Sequence, residues 1–163
     1  MLDLDTELRE DGEYSVIVTL DKQNYEYRIA IISLTIMERV IDIKWPAIFV
    51  NSKTEIDSGA TLQFTISLSD PNNNSAAIIG ANAYLTLGDN NYIFTDNGDG
   101  SYIVNIPTIS QPFFMPETFT ATLTIEKQYF ETETASITIV VKMPEIFPGF
   151  PMFYFLMILG AII

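Results

Sequence analysis

The chain has 163 residues, with 21 acidic and 8 basic side chains and a formal net charge of −13 at pH 7. A surface of this charge argues against nucleic acid as a partner, because the phosphate backbone repels it. The chain has no cysteine and no histidine, which excludes disulfides, thiol catalysis, Cys-ligated zinc and a Ser-His-Asp triad. A cysteine-free chain of this kind suits a prokaryotic surface protein, and no residue pattern in it predicts an enzyme.

The N-terminal part carries one copy of an internal repeat. The segment from Thr19 to Glu26 (TLDKQNYE) aligns with Thr124 to Glu131 (TIEKQYFE) at an offset of 105 residues. That spacing is about the length of one small β-sandwich domain. Residues 1–37 are therefore predicted to be the last two strands of a preceding domain, in a chain cut from a longer one. The alternative is a chance similarity between two alternating hairpins.

Residues 38–143 are predicted to form one complete all-β domain. Apolar and polar side chains alternate with a period of two, which is the pattern of half-buried strands, and turn-forming residues separate the segments. No window of useful length before residue 146 has a helical period. The predicted strands lie in residues 41–45, 61–68, 81–87, 102–106, 119–125 and 135–141.

Two motifs in this domain carry a family resemblance. The segments Ile79 to Leu85 (IGANAYL) and Phe94 to Pro107 (FTDNGDGSYIVNIP) resemble the invasin-type and filamin-type immunoglobulin-like repeats of prokaryotic cell-surface proteins, over about residues 40–142. The resemblance implies an all-β, immunoglobulin-like antiparallel β-sandwich, used in tandem as a stalk, adhesin or lattice component, without catalytic residues. One departure is Phe119, because many such domains have a tyrosine there; a tyrosine corner is then expected only through Tyr14.

Three turns, at residues 70–77, 96–100 and 127–132, are predicted to meet at one pole of the sandwich. Oxygen ligands suit calcium, so Asp70, Asp96 and Asp99 are candidate calcium ligands; no cofactor is predicted, and calcium is the one candidate. The alternative is that these are solvated turn residues, selected for backbone geometry. Asn73 begins an Asn-Asn-Ser sequon and is a candidate glycosylation site.

The loop Gln111 to Pro116 is unusually apolar. As the connection at the opposite pole, it is predicted to lie close to a membrane. Phe113, Phe114 and Met115 are then expected to pack against the linker at Met143–Pro144 or to touch the lipid interface. The alternative is that they close the bottom of the core.

The chain is apolar from residue 146 onwards, and its last charged residue is Glu145. Residues 144–151 are predicted to be a proline-rich linker and residues 152–163 the start of a truncated transmembrane helix. Aromatic residues between Phe150 and Phe155 resemble an interfacial belt. This predicts a single-pass protein of the cell membrane with its N-terminal part outside; the alternative is a buried apolar tail.

These features predict a membrane-anchored extracellular repeat protein with a structural, adhesive or surface-display role. Its expected partners are membrane lipid, adjacent immunoglobulin-like domains, and protein or glycan surface ligands. An alternative is the ectodomain of a membrane sensor or transporter whose cytoplasmic part lies beyond residue 163. A third interpretation is an accessory module of a secreted enzyme.

Overall fold

The computed structural model describes residues 11–161. The chain divides into two compact units, Met1–Arg39 and Val40–Ile163. In its described part, the first unit is one antiparallel hairpin of β1 (Gly12–Leu20) and β2 (Arg28–Ile36). Its register runs from Gly12↔Ile36 to Leu20↔Arg28 without a bulge. Because paired residues share a face, the period-two pattern gives the hairpin one face whose centre is made of valine, leucine, isoleucine and alanine, with Tyr14 near one end and Arg28 at the other.

The second unit begins with ten strands in two layers. One sheet has the order β3-β5-β10-β9, with β6 also paired to β5, and the other has the order β4-β12-β11-β7-β8. The strands are β3 (Asp42–Lys44), β4 (Lys53–Ile56), β5 (Leu62–Asp70), β6 (Ala76–Ala77), β7 (Asn82–Leu87), β8 (Asn90–Ile93), β9 (Thr95–Asp96), β10 (Ser101–Ile106), β11 (Glu117–Glu126) and β12 (Glu133–Val141). This order corresponds to the A-B-E-D and C-F-G sheets of the immunoglobulin fold. The second unit is therefore an immunoglobulin-like β-sandwich.

The core lies between the two sheets. Inward residues of β5 and β10 meet those of β7, β11 and β12, and Ile66, Leu85, Leu123 and Ile139 are completely buried. Each of the six predicted segments contains a strand, because each has several inward apolar residues in alternation. The sequence pattern did not predict β4 or β8, and β4 pairs with β12 in parallel, whereas the other strand pairs of the described sandwich are antiparallel.

The C-terminal segment contains a strand ladder that the sequence did not predict. Residues 144–151, predicted as a linker, include a short antiparallel ladder of β13 (Glu145–Phe147) and β14 (Phe150–Pro151). Gly149 makes the turn between them, with a φ of 82°. The helix α1 (Met152–Ala161) has ten residues and a length of about 15 Å.

The prediction of a transmembrane helix over residues 152–163 is not supported. Within residues 11–161, the structure contains no helix with the length and apolar character needed to cross a membrane. The physical reason is length: α1 begins at Met152, where the predicted span also begins, and its ten residues rise about 15 Å, about half of a ~30 Å hydrocarbon core. Residues 162 and 163 of the predicted span lie outside the described residues.

Candidate functional site

The predicted pole of turns is assembled around the segment 78–81. The backbone N–H of Gly80 donates to Oδ2 of Asp96 at 2.6 Å. From the other side, Nζ of Lys127 donates to the carbonyls of Ile79, at 2.8 Å, and Gly80, at 3.2 Å. Two of the three predicted turns, 96–100 and 127–132, are thus joined by hydrogen bonds to a single short segment. The third turn, at residues 70–77, directly precedes that segment in the chain.

Tyr102 closes this pole from inside the core. Its side chain is fully buried, its hydroxyl donates to the carbonyl of Ile78 at 3.0 Å, and it accepts from the N–H of Ala81 at 3.0 Å. Burial raises the pKa of this phenol above its ordinary value, so the hydroxyl keeps its proton. The sequence pattern placed Tyr102 in a predicted strand but did not predict the hydrogen bonds of its hydroxyl. An inward-facing tyrosine at the start of a strand indicates such a role, because a buried hydroxyl needs a partner.

The three calcium candidates are each occupied by local hydrogen bonds. Oδ1 of Asp70 accepts from the N–H of Asn72 at 2.9 Å, and Oδ1 of Asp96 accepts from the N–H of Gly98 at 2.8 Å. Oδ1 of Asp99 accepts from both the N–H and the hydroxyl of Ser101, at 2.9 and 2.6 Å. These are the hydrogen bonds of Asx turns. Within the described range, no group of three or more carboxylates, histidines or cysteines is arranged to hold a metal ion.

Asn73 lies in the exposed turn between β5 and β6. Its N–H donates to the carbonyl of Asp70 at 3.2 Å, and its own carbonyl accepts from the N–H of Ala76 at 2.8 Å. The side chain is open to solvent, as modification requires. Glycosylation at Asn73 stays a prediction.

We expect Asp96 to make the sandwich sensitive to acid. Hydrogen bonds from the N–H groups of Gly98 and Gly80 lower the pKa of Asp96 below its ordinary value. A lowered pKa in the folded state means that the stabilisation is complete above the unfolded pKa of about 3.9 and is lost as the pH falls below it. Asp96→Asn should therefore reduce the difference in melting temperature between pH 7 and pH 3. Thermal melts at pH 7 and pH 3 measure this difference, with the exposed turn variant Asp89→Asn as control. The prediction is contradicted if the parent and both variants lose the same number of degrees at pH 3.

A second candidate site lies at the opposite pole and consists of apolar side chains. We call it the C-terminal apolar patch, formed by residues 113–115, residues 146–151 and α1. The ring centroids of Phe114 and Phe153 are 5.1 Å apart, and those of Phe113 and Phe153 are 6.3 Å apart. The loop at 113–115 was predicted to contact the linker at 143–144. Its aromatic rings contact Phe153 in the first turn of α1. Beside it, Phe147 and Phe150 stack at 4.9 Å.

The C-terminal apolar patch is exposed although it is apolar. No residue of α1 is buried, and the helix carries no acidic residue in its first turn and no basic residue in its last turn. Phe114 and Met115 expose 66% and 69% of their surface. An apolar area of this kind on a protein surface is typical of a contact with lipid or with another protein.

Polar contacts lie next to the patch and hold its base to the sandwich. The N–H of Met152 donates to the carbonyl of Pro144 at 2.8 Å, which fixes the start of α1. Nζ of Lys142 lies 2.9 Å from Oδ1 of Asp57, and hydrogen bonding to this carboxylate raises the pKa of Lys142. A cleft of about 370 Å³ lies between residues 57–58 and 143–148.

Comparisons with known proteins give no family assignment. No family model matches the sequence, and no curated protein matches it. Among solved structures, the chain is similar to titin domain M7, with a TM-score of 0.39, 10% identity, and coverage of 66% of this chain and 97% of that one. It is also similar to domains 4 and 5 of the S-layer protein SbsC, with a TM-score of 0.40, 15% identity, and coverage of 82% and 58%.

A third similar structure contains extracellular cadherin domains 3–6 of protocadherin gamma B2, with a TM-score of 0.37 and 12% identity. The match covers 88% of this chain and 33% of that one. Similarities at this level carry no argument about function. The assignment of the fold rests on the order of the strands in the two sheets.

Proposed function

We propose that this chain is part of a non-catalytic structural or adhesive protein of a prokaryotic cell surface, of the invasin-like kind, which meets the membrane through its C-terminal apolar patch. The observation that carries the proposal is the exposed helix α1, joined by aromatic contacts to the loop at 113–115. The sandwich then stands on the outer side of the membrane and presents its turns and strands to adjacent domains and to protein or glycan ligands.

Lipid is the occupant that fits the chemistry of the patch. Residues 146–163 carry no charge, so insertion into hydrocarbon does not require an ion to lose its hydration. Phenylalanine and tyrosine at the start of the helix suit the interface between headgroups and chains.

Binding to phosphatidylcholine vesicles tests the proposal. Phe114→Ser should weaken partitioning about tenfold, because a large part of one phenylalanine side chain is no longer transferred from water to lipid. Ile93→Ser is the matched control, since Ile93 is 73% exposed on β8, away from the patch. Vesicle flotation of the three proteins gives the partition coefficients.

The net charge of −13 adds a second expectation. Vesicles rich in phosphatidylserine should bind the protein more weakly than neutral vesicles at low salt, because their surface repels an acidic domain. The proposal is wrong if neutral vesicles do not bind the chain, or if both serine variants lose binding equally. A dimer that persists when vesicles are present would instead assign the patch to a second copy.

A further inference from the structure

The hairpin of the first unit repeats the geometry of β11 and β12 in the sandwich. The pair Gly12↔Ile36 corresponds to Glu117↔Val141 at an offset of 105 residues, and this relation holds along all nine pairs of each ladder. A shift of one residue would invert every side chain, so equal register places equivalent residues on equivalent faces.

The turn of each hairpin is also the same. The N–H of Tyr25 donates to the carbonyl of Lys22 at 3.0 Å, and the N–H of Phe130 donates to the carbonyl of Lys127 at 3.1 Å. Asn24 has a φ of 69° and its equivalent Tyr129 a φ of 68°. A positive φ is uncommon for residues other than glycine. Its recurrence at the same position shows that the two hairpins share a backbone design, not only an alternating pattern.

The two hairpins differ in what covers their apolar face. In the sandwich, six inner residues of β11 and β12 are at most 1% exposed, because the sheet β3-β5-β10-β9 covers them; they are Ala121, Leu123, Ile125, Ile137, Ile139 and Val141. Their equivalents in the first unit are all apolar, namely Val16, Val18, Leu20, Ile32, Leu34 and Ile36. Leu20 and Ile32 are nevertheless 62% and 50% exposed, and Val16, Val18, Leu34 and Ile36 are only partly buried.

We infer that residues 12–36 are the closing hairpin of a second sandwich of the same design, and that its inner face binds a sheet built like β3-β5-β10-β9. Such a sheet presents alternating leucine, isoleucine and phenylalanine side chains towards the hairpin, as β5 does with Leu62, Phe64 and Ile66. The inference does not depend on whether the C-terminal apolar patch binds lipid.

An exchange of equal segments within the full chain tests this complementarity. Residues 117–141 are replaced by a copy of residues 12–36, 25 residues for 25. At the inner face the exchange enlarges position 121 from alanine to valine, shortens position 123 from leucine to valine and enlarges position 141 from valine to isoleucine. The other three fully buried positions keep their volume, and Phe119, which is partly buried against the core, becomes a tyrosine. Lys22 falls at position 127, where the native lysine binds the carbonyls of the segment 78–81.

We expect the exchanged protein to unfold cooperatively, with a melting temperature within about 15 °C of the parent, because cores tolerate apolar substitutions that keep volume and pattern. The copied hairpin should also gain protection from hydrogen exchange. In the parent, amides of residues 12–36 should exchange at least ~100-fold faster than those of the copy, since a single two-stranded hairpin without a covering sheet is marginal in water.

The control exchanges residues 11–35 instead, which turns serines and threonines towards the core, and it should lose the cooperative transition. Loss of the transition in both exchanged proteins would overturn the inference. Protection of residues 12–36 in the parent that rises with protein concentration would also overturn it, because a second copy would then cover the face.

Discussion

Gly100→Ala is expected to destabilise the sandwich by about 2–5 kcal/mol. Gly100 has a φ of 86°, a conformation that alanine adopts at a cost. A Cβ atom built there would lie 2.7 Å from Cβ of Ala77 and 3.2 Å from the carbonyl oxygen of Leu68. Neither neighbour is the end of a flexible side chain. The N–H of Leu68 also donates to the carbonyl of Gly100 at 2.8 Å, so a shift of this backbone would disturb β5.

Gly98→Ala separates the two contributions to this loss. Gly98 lies in the same turn with a φ of 82°, but a Cβ atom there would have no neighbour within 4 Å. This variant should cost only about 1–2 kcal/mol, from the backbone conformation alone. Urea denaturation of both variants gives the difference in the free energy of unfolding. Equal losses would show that the close approach to Ala77 does not matter.

Phe64→Ala should cost about 3–5 kcal/mol, the usual result of removing a buried phenylalanine ring. Phe64 is 4% exposed, and its ring lies 4.9 Å from that of Phe49 and 5.6 Å from that of Phe94. Trp45 completes the cluster at 6.4 Å. Removing the central ring leaves three aromatic neighbours with an unfilled space. A domain of this size has about 5–15 kcal/mol of stability in total, so the loss is a large fraction.

Phe114→Ala is the matched control for this measurement. Its ring also makes aromatic contacts, with Phe113 and Phe153, but it lies on the surface. Its removal should change the free energy of unfolding by less than about 1 kcal/mol. A loss as large as that of Phe64→Ala would mean that the loop closes the bottom of the core, and the interpretation of this loop as a contact surface would fail.

The sequence predicted the strands that carry most of the core because each has several inward residues. In β5, Leu62, Phe64, Ile66 and Leu68 alternate with polar residues. This pattern fits a strand with one buried face and does not fit a helix. By contrast, β4 has four residues, of which Lys53 and Glu55 are exposed and Thr54 is buried. A polar inward residue conceals the period. Its parallel pairing with β12 joins segments about 85 residues apart and leaves no local signal.

The candidate sites were predicted less completely, for a reason that lies in the side chains. Aspartate is favoured both as a calcium ligand and as an acceptor for its own turn, so sequence could not separate the two uses of Asp96 and Asp99. In the structure, both carboxylates accept hydrogen bonds from their own turn, from Gly98 and Ser101, and calcium binding stays a prediction. For the loop at 113–115, three consecutive large apolar residues predicted either a contact surface or a plug for the core, and its role as a contact surface stays a prediction.

The pairing of β4 with β12 determines how the sandwich responds to a pulling force. Lys53 to Ile56 run parallel to Thr138 to Val141, and the ladder continues at both ends through hydrogen bonds of 2.8 Å. One strand lies near the start of the sandwich and the other near its end. Tension on the chain therefore slides the two strands along each other, so that their hydrogen bonds must break together and not one after another. A domain connected in this way resists stretching.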